Sequence, residues 1–267
     1  MIEIDRAAPP RLLTIAGSDS GGGAGIQADL KTFAAHGAYG LSVITAVTAQ
    51  NTREVRAVMD VPTTVVEAQI DAVLEDIGAD AVKIGMLAHA AMVSTVAEGL
   101  RRHRPSHVVL DPVMVAKSGD VLLRHDAVDA LIEELFPLAT VITPNLPEAE
   151  RLTGLPARTG DDLLAIGRHL HSLGPSVLLK GGHGHGDTVV DLLFDGDAVY
   201  RYEHPRQHTT STHGTGCTLS SAVAARLGHG DALPVAVERA IDYLQGAIAA
   251  AFPLGGGHGP VNHLHRL

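Results

Sequence analysis

The sequence predicts an α/β fold, in which a doubly wound, mostly parallel sheet carries helices on both faces. Short apolar segments that are typical of buried strands alternate along the chain with segments of helical period. Polar or glycine-containing residues follow directly after most of these strands. Because the carboxyl ends of parallel strands meet at one edge of such a sheet, this pattern also predicts where a ligand would bind.

Length and composition favour one globular domain. The chain has 267 residues, of which 45% are hydrophobic and only 3% aromatic. A chain of this size buries a large core, which here must consist mainly of Ala, Val, Leu and Ile. We expect a single domain over residues 1–267, with residues 1–11 as a flexible N-terminal tail.

Charge and cysteine content exclude several classes of protein. The formal net charge is -10 and no run of Lys or Arg occurs, which argues against nucleic acid or an anionic membrane as partner. No apolar run approaches the ~20 residues that span a bilayer. The N-terminus lacks the basic start and apolar core of a signal peptide. A single cysteine excludes an intrachain disulfide and is typical of a reducing compartment, so we expect a cytoplasmic protein.

The first half of the chain predicts five strands and three helices. An apolar strand at 12–16 leads through a glycine-rich loop at 17–25 into a helix that ends at Gly37. The segments that follow are a strand at 41–49, a short flap-like strand at 55–61, a helix from Pro62 through Leu74, a strand at 81–84, a helix at 90–100 and a strand at 108–110.

The second half continues the alternation and adds a hairpin. We predict helices at 128–135 and 163–173 and strands at 140–142 and 177–179. Two further strands, at 189–194 and 198–202, flank Asp195-Gly196, which is a typical hairpin turn. Helices at 219–227 and 234–251 complete the chain.

Polar side chains and glycines mark one edge of the predicted sheet. The residues just past strand ends are Gly17, Gln50, Met86, Asp111, Asn145, Glu148 and Lys180. The first glycine-rich loop is not a Walker A loop, because no Lys-Ser/Thr follows it. It also lacks the register and the later acidic residue of the dinucleotide-binding motif. Its glycines indicate the close approach of a small ligand.

A second loop, at 209–218, enters an Ala-rich helix and predicts an anion site. The N–H groups at a helix start have no intrahelical partner, and the helix dipole adds positive charge. We therefore expect Gly214, Thr215, Gly216 and Cys217 to bind phosphate. The same position should make the thiol of Cys217 more acidic than its reference pKa of ~8.5. The plain alternative is a capped helix that contains a small buried cysteine.

These residues together suggest phosphoryl transfer, which requires positioning and neutralisation of charge. Asp111 and Glu148 can hold Mg²⁺, mostly through water, and Lys180 can meet phosphate oxygens. Cys217 would lie near the attacking hydroxyl and can accept its proton. The amide of Gln50 matches the amino group and ring nitrogen of an aminopyrimidine. Asp29, one turn into the first helix, can cap, form a salt bridge or contact substrate.

The His183-Gly-His185 pair is a weaker candidate. Two alternate histidines without a third nearby ligand favour a structural loop over a metal site.

The chain resembles the hydroxymethylpyrimidine/phosphomethylpyrimidine kinases of thiamine biosynthesis, in the ribokinase superfamily. The resemblance runs from about Leu12 to His263. The motifs that carry it are AGSDSGGGAGIQADLKT at 16–32, TAVTAQNT at 45–52, KIGML at 83–87, DPVM at 111–114, AKSG at 116–119, TPNLPE at 143–148, KGGH at 180–183 and HGTGC at 213–217. Only their combination is specific.

The resemblance implies an enzyme that uses MgATP twice, first on 4-amino-5-hydroxymethyl-2-methylpyrimidine and then on its monophosphate. It implies a pyrimidine pocket of Gly17, Asp29, Gln50, Met86 and Val113. It also implies that Asp111 and Glu148 serve Mg²⁺, that Lys180 and Asn145 face ATP, and that 214–217 form the anion hole. Homodimers are common in the family, so we expect one here.

Three alternatives compete with this interpretation. The superfamily's sugar kinases and many pyridoxal kinases have an aspartate base where this chain has Cys217. This difference favours a pyrimidine kinase over a pyridoxal kinase but leaves the base open. A nucleotide-binding oxidoreductase would need the dinucleotide-binding motif that is missing. A non-catalytic binding protein is disfavoured because the expected polar positions all hold competent residues.

Overall fold

The computed structural model describes residues 8–114, 125–184 and 186–266. Its strands are β1 (Arg11–Ala16), β2 (Tyr39–Ile44), β3 (Ala46–Gln50), β4 (Val55–Asp60), β5 (Ala81–Ile84), β6 (Val108–Leu110), β7 (Val141–Ile142), β8 (Ser176–Leu179), β9 (Thr188–Asp195) and β10 (Ala198–Pro205). Eight of them form one sheet in the order β10-β9-β8-β7-β6-β5-β1-β2, while β3 and β4 form a separate antiparallel pair, here called the flap. Among the described strands of the large sheet, β9 alone runs opposite to the others, so its pairings with β8 and β10 are antiparallel.

Helices cover both faces of the large sheet. They are α1 (Gly25–Ala35), α2 (Thr63–Asp76), α3 (Ala90–His103), α4 (His125–Ala130), α5 (Leu146–Thr153), α6 (Gly160–His171), α7 (Thr215–Gly228) and α8 (Leu233–Ala249). Successive strand residues face opposite sides, so Leu12 belongs to the core cluster that includes residues of α1, α7 and α8, whereas Leu13 belongs to the cluster that includes residues of α2 to α6. Leu178 and Leu179 divide in the same way. The predicted doubly wound fold is confirmed.

Two boundaries differ from those expected, and both concern the site. The strand expected at 41–49 divides at Thr45, where β2 leaves the large sheet and β3 enters the flap. In β3 buried and exposed residues alternate, as expected for a sheet with one open face. Helix α7 begins at Thr215 rather than near 219, so Gly216 and Cys217 lie in its first turn.

Helix α5, which has Pro147 in its first turn, was not predicted from the sequence. Proline is tolerated in the first turn of a helix, where its missing N–H has no intrahelical role.

The boundary expected for the tail, at residue 11, is wrong. Arg11 already belongs to β1, and its backbone N–H and guanidinium both bind Asp80, at 2.7 Å each. Residues 1–7, the 116–119 motif and His185 lie outside the described residues. None of the helices in the described ranges has the length and apolar character that a membrane span requires.

Candidate functional site

A cavity of about 630 Å³ opens at the carboxyl ends of the parallel strands. All of the site residues predicted from the sequence line it, except Asp29. The flap, the glycine-rich loop that follows β1 and the loop that precedes α7 surround one part of it. The residues named from the strand-edge rule therefore lie together at one cavity.

The start of α7 is open to an anion. Gly214 caps the helix with φ of 80° and provides no side-chain cap. The N–H groups of Gly216 and Cys217, in the first turn, have no intrahelical acceptor, and the Thr215 N–H donates to the Thr212 carbonyl at 3.4 Å. A Cβ at Gly214 would collide with the carbonyl oxygen of Gly23, so only glycine fits where the two loops meet. We call residues 211–217 the anion loop.

Lys180 and Asp111 lie beside this helix start. The Lys180 ammonium donates to Asp111 Oδ1 at 2.9 Å, and Thr143 Oγ1 donates to the same oxygen at 2.9 Å. A Cβ built on Gly216 would lie 3.4 Å from Lys180 Nζ and 3.6 Å from Asp111 Oδ2. The absence of a side chain at Gly216 thus leaves room for a ligand between the amides and the ion pair.

Both members of this pair are charged. Burial alone would lower the pKa of Lys180, but attraction to Asp111 and Glu148 outweighs it and raises the pKa. Burial likewise would raise the pKa of Asp111, but Lys180 and Lys83 outweigh it and lower the pKa. The ion pair therefore persists across the physiological pH range.

Glu148 combines a structural and an electrostatic role. Its Oε2 accepts from the Asn145 N–H at 2.8 Å, while Asn145 Oδ1 accepts from the Glu148 N–H at 2.9 Å, which forms a capping box at α5. Burial, followed by repulsion from Asp111, raises the pKa of Glu148 to about 7, although Lys180 opposes the shift. Two carboxylates that repel one another across a cavity suit a hard divalent cation.

The pyrimidine-binding end predicted from the sequence lies between the first loop and the flap. Ser20 Oγ donates to the Gln50 carbonyl at 2.7 Å and accepts from the Gln50 N–H at 2.8 Å. The loop therefore fixes the Gln50 backbone, and the residue lines the cavity. Met86 packs against Gly17, where a Cβ would come within 2.7 Å of the Met86 methyl group. Val113 completes the predicted lining.

Asp19 and His213 connect the two loops, and the sequence analysis did not single them out. Asp19 accepts from the N–H groups of Gly21, Gly23 and Ala24 at 2.8, 3.0 and 2.8 Å. His213 Nε2 donates to the same carboxylate at 2.8 Å. Burial would raise the pKa of Asp19, but these hydrogen bonds outweigh it and lower the pKa. An aspartate within a glycine-rich turn was the available signal, since Asp readily accepts from nearby backbone N–H groups.

The expected substrate contact of Asp29 is corrected. Asp29 is fully buried outside the cavity lining, where it accepts from Thr14 Oγ1 and Ser221 Oγ at 2.6 Å each. The Lys83 ammonium donates to both of its oxygens, at 3.0 and 2.9 Å. Lys83 is also fully buried, and attraction to Asp29 raises its pKa against the opposing effect of burial. Asp29 thus takes the salt-bridge alternative.

The expected acidity of Cys217 is also wrong. Burial raises the pKa of the thiol to about 11; Lys83 opposes this shift, and Asp29 and Asp111 add to it. The Gly25 N–H bonds to the thiol but does not reverse the shift. At neutral pH the free enzyme therefore holds a neutral thiol, because desolvation outweighs the helix start.

The other end of the cavity is mainly apolar. Its lining there includes Val189, Leu219, Ile241, Leu244 and Ile248. The Gln207 amide donates to the Gln245 backbone and side-chain oxygens at 2.8 and 2.9 Å, which joins the segment after β10 to α8. This end suits a flat, apolar ring.

The loop that contains His183 has a structural support. Arg206 donates to the carbonyl oxygens of Gly186, Gly182 and Gly184, at 2.7, 2.7 and 2.9 Å. Because His185 lies outside the described residues, the interpretation of the His183-Gly-His185 pair as a structural loop stays a prediction.

Residues 19–262 match the sequence model of the phosphomethylpyrimidine kinase family. The chain belongs to this family. It is 54% identical over 264 residues to the hydroxymethylpyrimidine/phosphomethylpyrimidine kinase of Rhizobium meliloti, covering 95% of this chain and 97% of that protein. It is 53% identical to the thiamine biosynthesis bifunctional protein of Geobacter sulfurreducens, of which it spans about half, 54% of the length.

Solved structures agree with this family assignment. The phosphomethylpyrimidine kinase of Clostridium difficile is 47% identical with a TM-score of 0.80, covering 90% of this chain and 99% of that one. The pyridoxal kinase of Staphylococcus aureus in complex with pyridoxal has a TM-score of 0.90 at 34% identity, covering 97% of this chain and 95% of that one. The chain is therefore a kinase with the ribokinase-like fold.

We predict that Lys83→Met destabilises this kinase by about 3–5 kcal/mol, because it leaves the Asp29 carboxylate buried without a countercharge. The double variant Lys83→Met/Asp29→Asn should recover part of the loss. Urea unfolding measures both. Arg56→Met, which breaks an exposed pair with Glu54, is the control and should cost less than about 1 kcal/mol. Equal midpoints for Lys83→Met and Arg56→Met would contradict the prediction.

We also predict that alkylation of Cys217 by iodoacetamide rises about tenfold per pH unit from pH 7 to 10 in the ligand-free enzyme. The reason is that only the thiolate reacts and the raised pKa keeps its fraction small. Since the chain has one cysteine, mass spectrometry reports this site alone, and Cys217→Ser is the blank. A plateau in the rate below pH 8 would show that the thiol is acidic after all.

Proposed function

We propose that this kinase transfers the γ-phosphoryl group of ATP to the hydroxymethyl group of 4-amino-5-hydroxymethyl-2-methylpyrimidine, and then a second phosphoryl group to the monophosphate, in thiamine biosynthesis. The observation that carries the proposal is the open start of α7. It lies in one cavity with Gln50 and with the Lys180–Asp111 pair. The curated relatives with the same pair of activities in their names support it.

Recognition of the pyrimidine would rest on Gln50. Its side-chain amide both donates and accepts, which matches the adjacent amino group and ring nitrogen of an aminopyrimidine. Met86 and Val113 would contact the flat ring, and Gly17 leaves the space that the Met86 side chain requires. A pocket that pairs a buried hydrogen-bonding group with its substrate rejects analogues that lack the partner.

ATP would occupy the rest of the cavity. The anion loop and Lys180 would meet its phosphates, and the apolar end around Leu244 would receive the base. Complexes of the Staphylococcus aureus pyridoxal kinase with ADP and AMP-PCP, at 34% identity, support this use of the fold. Asn145 faces the same cavity, although its side-chain oxygen caps α5.

Asp111 and Glu148 would hold Mg²⁺, in part through water. The ion, when bound, would supply positive charge that offsets the phosphate charge of ATP. The carboxylate oxygens fit this hard cation. Their mutual repulsion, which contributes to the raised pKa of Glu148, is what a cation relieves.

During transfer the substrate hydroxyl oxygen forms the new bond to the γ-phosphorus, and the bond to the β-phosphate oxygen breaks. The amides of 215–217 and the Lys180 ammonium offset the charge on the phosphoryl oxygens. Because such transition states are loose, the hydroxyl proton leaves late and passes to an oxygen of the transferred phosphoryl group, so a neutral Cys217 does not block the reaction. The neutral thiol already holds its proton, so only its thiolate could accept another, and Cys217→Ala with near-full turnover would exclude that role.

Two further expectations complete the proposal: the homodimer rests on the family resemblance, and the cytoplasmic location on the single cysteine. We propose that the protein is a cytoplasmic homodimer. Light scattering coupled to size-exclusion chromatography tests the dimer, and a monomer at working concentration would contradict it.

The decisive experiment is a mass-spectrometric assay with MgATP and the hydroxymethylpyrimidine, run in parallel with pyridoxal. The expected result is the monophosphate followed by the diphosphate. Monophosphate alone would remove the second step from the proposal. Pyridoxal phosphate alone would support the second candidate, a pyridoxal kinase, which the similarity to the pyridoxal kinase of Staphylococcus aureus favours.

We predict that Glu148→Gln raises the Mg²⁺ concentration for half-maximal rate by about tenfold, because it removes one of two cation-binding charges. Glutamine can still accept from the Asn145 N–H, so α5 keeps its cap. Since the Glu148 pKa is raised to about 7, the wild-type Mg²⁺ requirement should increase as pH falls below 7, and the variant's should not. Steady-state titrations at several pH values measure this.

The control is Glu150→Gln, on the same helix and exposed, with a side chain that accepts only from Ala157 N–H. It should leave the Mg²⁺ requirement unchanged. Identical pH dependence in the wild type and Glu148→Gln would remove Glu148 from the cation site.

A further inference from the structure

The C-terminal residues 255–263, which we call the C-terminal strap, run along the site after α8 ends. The sequence reads GGGHGPVNH, and its glycines lie outside any helix or strand. Gly255, Gly256 and Gly257 are exposed, while Gly259 and His263 are buried. No function has been given to them so far.

The first part of the strap packs on the turn of the flap. His258 N–H donates to the Thr52 carbonyl at 2.8 Å, and Gly257 N–H donates to Thr52 Oγ1 at 3.2 Å. A Cβ at Gly257 would collide with the Thr52 carbonyl oxygen, which is backbone and cannot rotate away. Gln50, which carries the proposed pyrimidine-binding amide, is the last residue of β3, and Thr52 lies two residues after it.

The middle of the strap pairs with the anion loop. His213 N–H donates to the Gly259 carbonyl at 2.9 Å, and His213 and Pro260 form a parallel bridge. A Cβ at Gly259 would lie 2.9 Å from Ser211 Oγ, and one at Gly23 would lie 3.0 Å from Pro260 Cβ. The strap therefore touches both loops that meet at Gly214.

The end of the strap supports the first turn of α7. Thr218 Oγ1 donates to the Gly214 carbonyl at 2.7 Å and lies 3.1 Å from His263 Nε2, so the imidazole nitrogen is the donor in that second bond. Tyr243 holds the His263 carbonyl at 2.6 Å. Burial lowers the pKa of His263 to about 4, so the ring stays neutral at physiological pH.

We propose that the C-terminal strap is a positioning element for phosphoryl transfer. It holds the Thr52 turn, and with it Gln50, at a fixed distance from the anion loop. One short segment bonds to the turn beyond the ring-recognition residue and to the loop that would bind the transferred group. Displacements of about 1 Å between such groups cost up to about 100-fold in rate. This inference rests on the proposed function.

The test is Gly257→Ala, compared with Gly160→Ala at the start of α6, where a Cβ meets nothing within 4 Å. We expect kcat/KM for the hydroxymethylpyrimidine to fall about 10- to 100-fold in Gly257→Ala, with a raised pyrimidine KM and a lowered kcat. The KM for ATP should stay within about twofold, because neither the apolar end nor Lys180 contacts the strap's first part. Gly160→Ala should match the wild type.

A second variant keeps the proposal testable if Gly257→Ala does not fold. Thr52→Val removes the Oγ1 acceptor of the Gly257 N–H at nearly constant volume, and we expect a smaller loss of the same kind, a few-fold in pyrimidine kcat/KM. If the strap had only a structural role, the variants would have a lower thermal midpoint but an unchanged ratio of the pyrimidine KM to the ATP KM. That result would overturn the inference.

Turnover by the wild type distinguishes a failure of this inference from a failure of the proposed function. Wild-type turnover together with unchanged Gly257→Ala and Thr52→Val kinetics would overturn the inference alone. Absence of wild-type turnover of the pyrimidine would overturn the proposed function and the inference with it.

Discussion

The carboxylate of Asp29 is the point on which the geometry of the site depends. It lies on α1 and accepts hydrogen bonds from Thr14 on β1, Lys83 on β5 and Ser221 on α7. Four elements that are far apart in sequence are thereby joined in a place that water does not reach. A buried charge tolerates little displacement of its partners, because each unmet bond costs the full desolvation of the group. The direction of α7, and so of its first-turn amides, follows from this contact.

Electrostatic compensation explains how an acidic protein can hold anions. The net charge is -10, yet the cavity lining combines Lys83 and Lys180 with Asp111 and a readily protonated Glu148, and Asp29 pairs with Lys83 outside that lining. The amides of the anion loop add positive potential without adding a titratable group. Local arrangement, rather than total charge, therefore determines what the cavity attracts.

Much of the fold and the position of the site could be predicted from the sequence. Strand and helix periods, and the polar residues after each strand, depend on local patterns that a single chain displays. Burial does not. Asp29 and Cys217 were assigned from their places near helix starts, but one lies in a sealed network and the other is desolvated. The Asp29 network depends on Lys83 and Ser221, which are more than 50 residues away in sequence. The raised pKa of Cys217 depends on burial by the folded chain, to which Asp29 and Asp111 add. The division at Thr45 likewise depends on the flap partner β4 rather than on the apolar run itself.

Arg206 binds the carbonyl groups of three glycines in one loop, and this contact affects how tightly a nucleotide is held. A glycine-rich loop loses more conformational freedom on becoming ordered than any other kind of loop. Here the guanidinium orders Gly182, Gly184 and Gly186 when the chain folds. This wall of the cavity is therefore preorganised before the ligand arrives. The entropic penalty of ordering it lowers the stability of the native state, and it does not lower the affinity for the ligand.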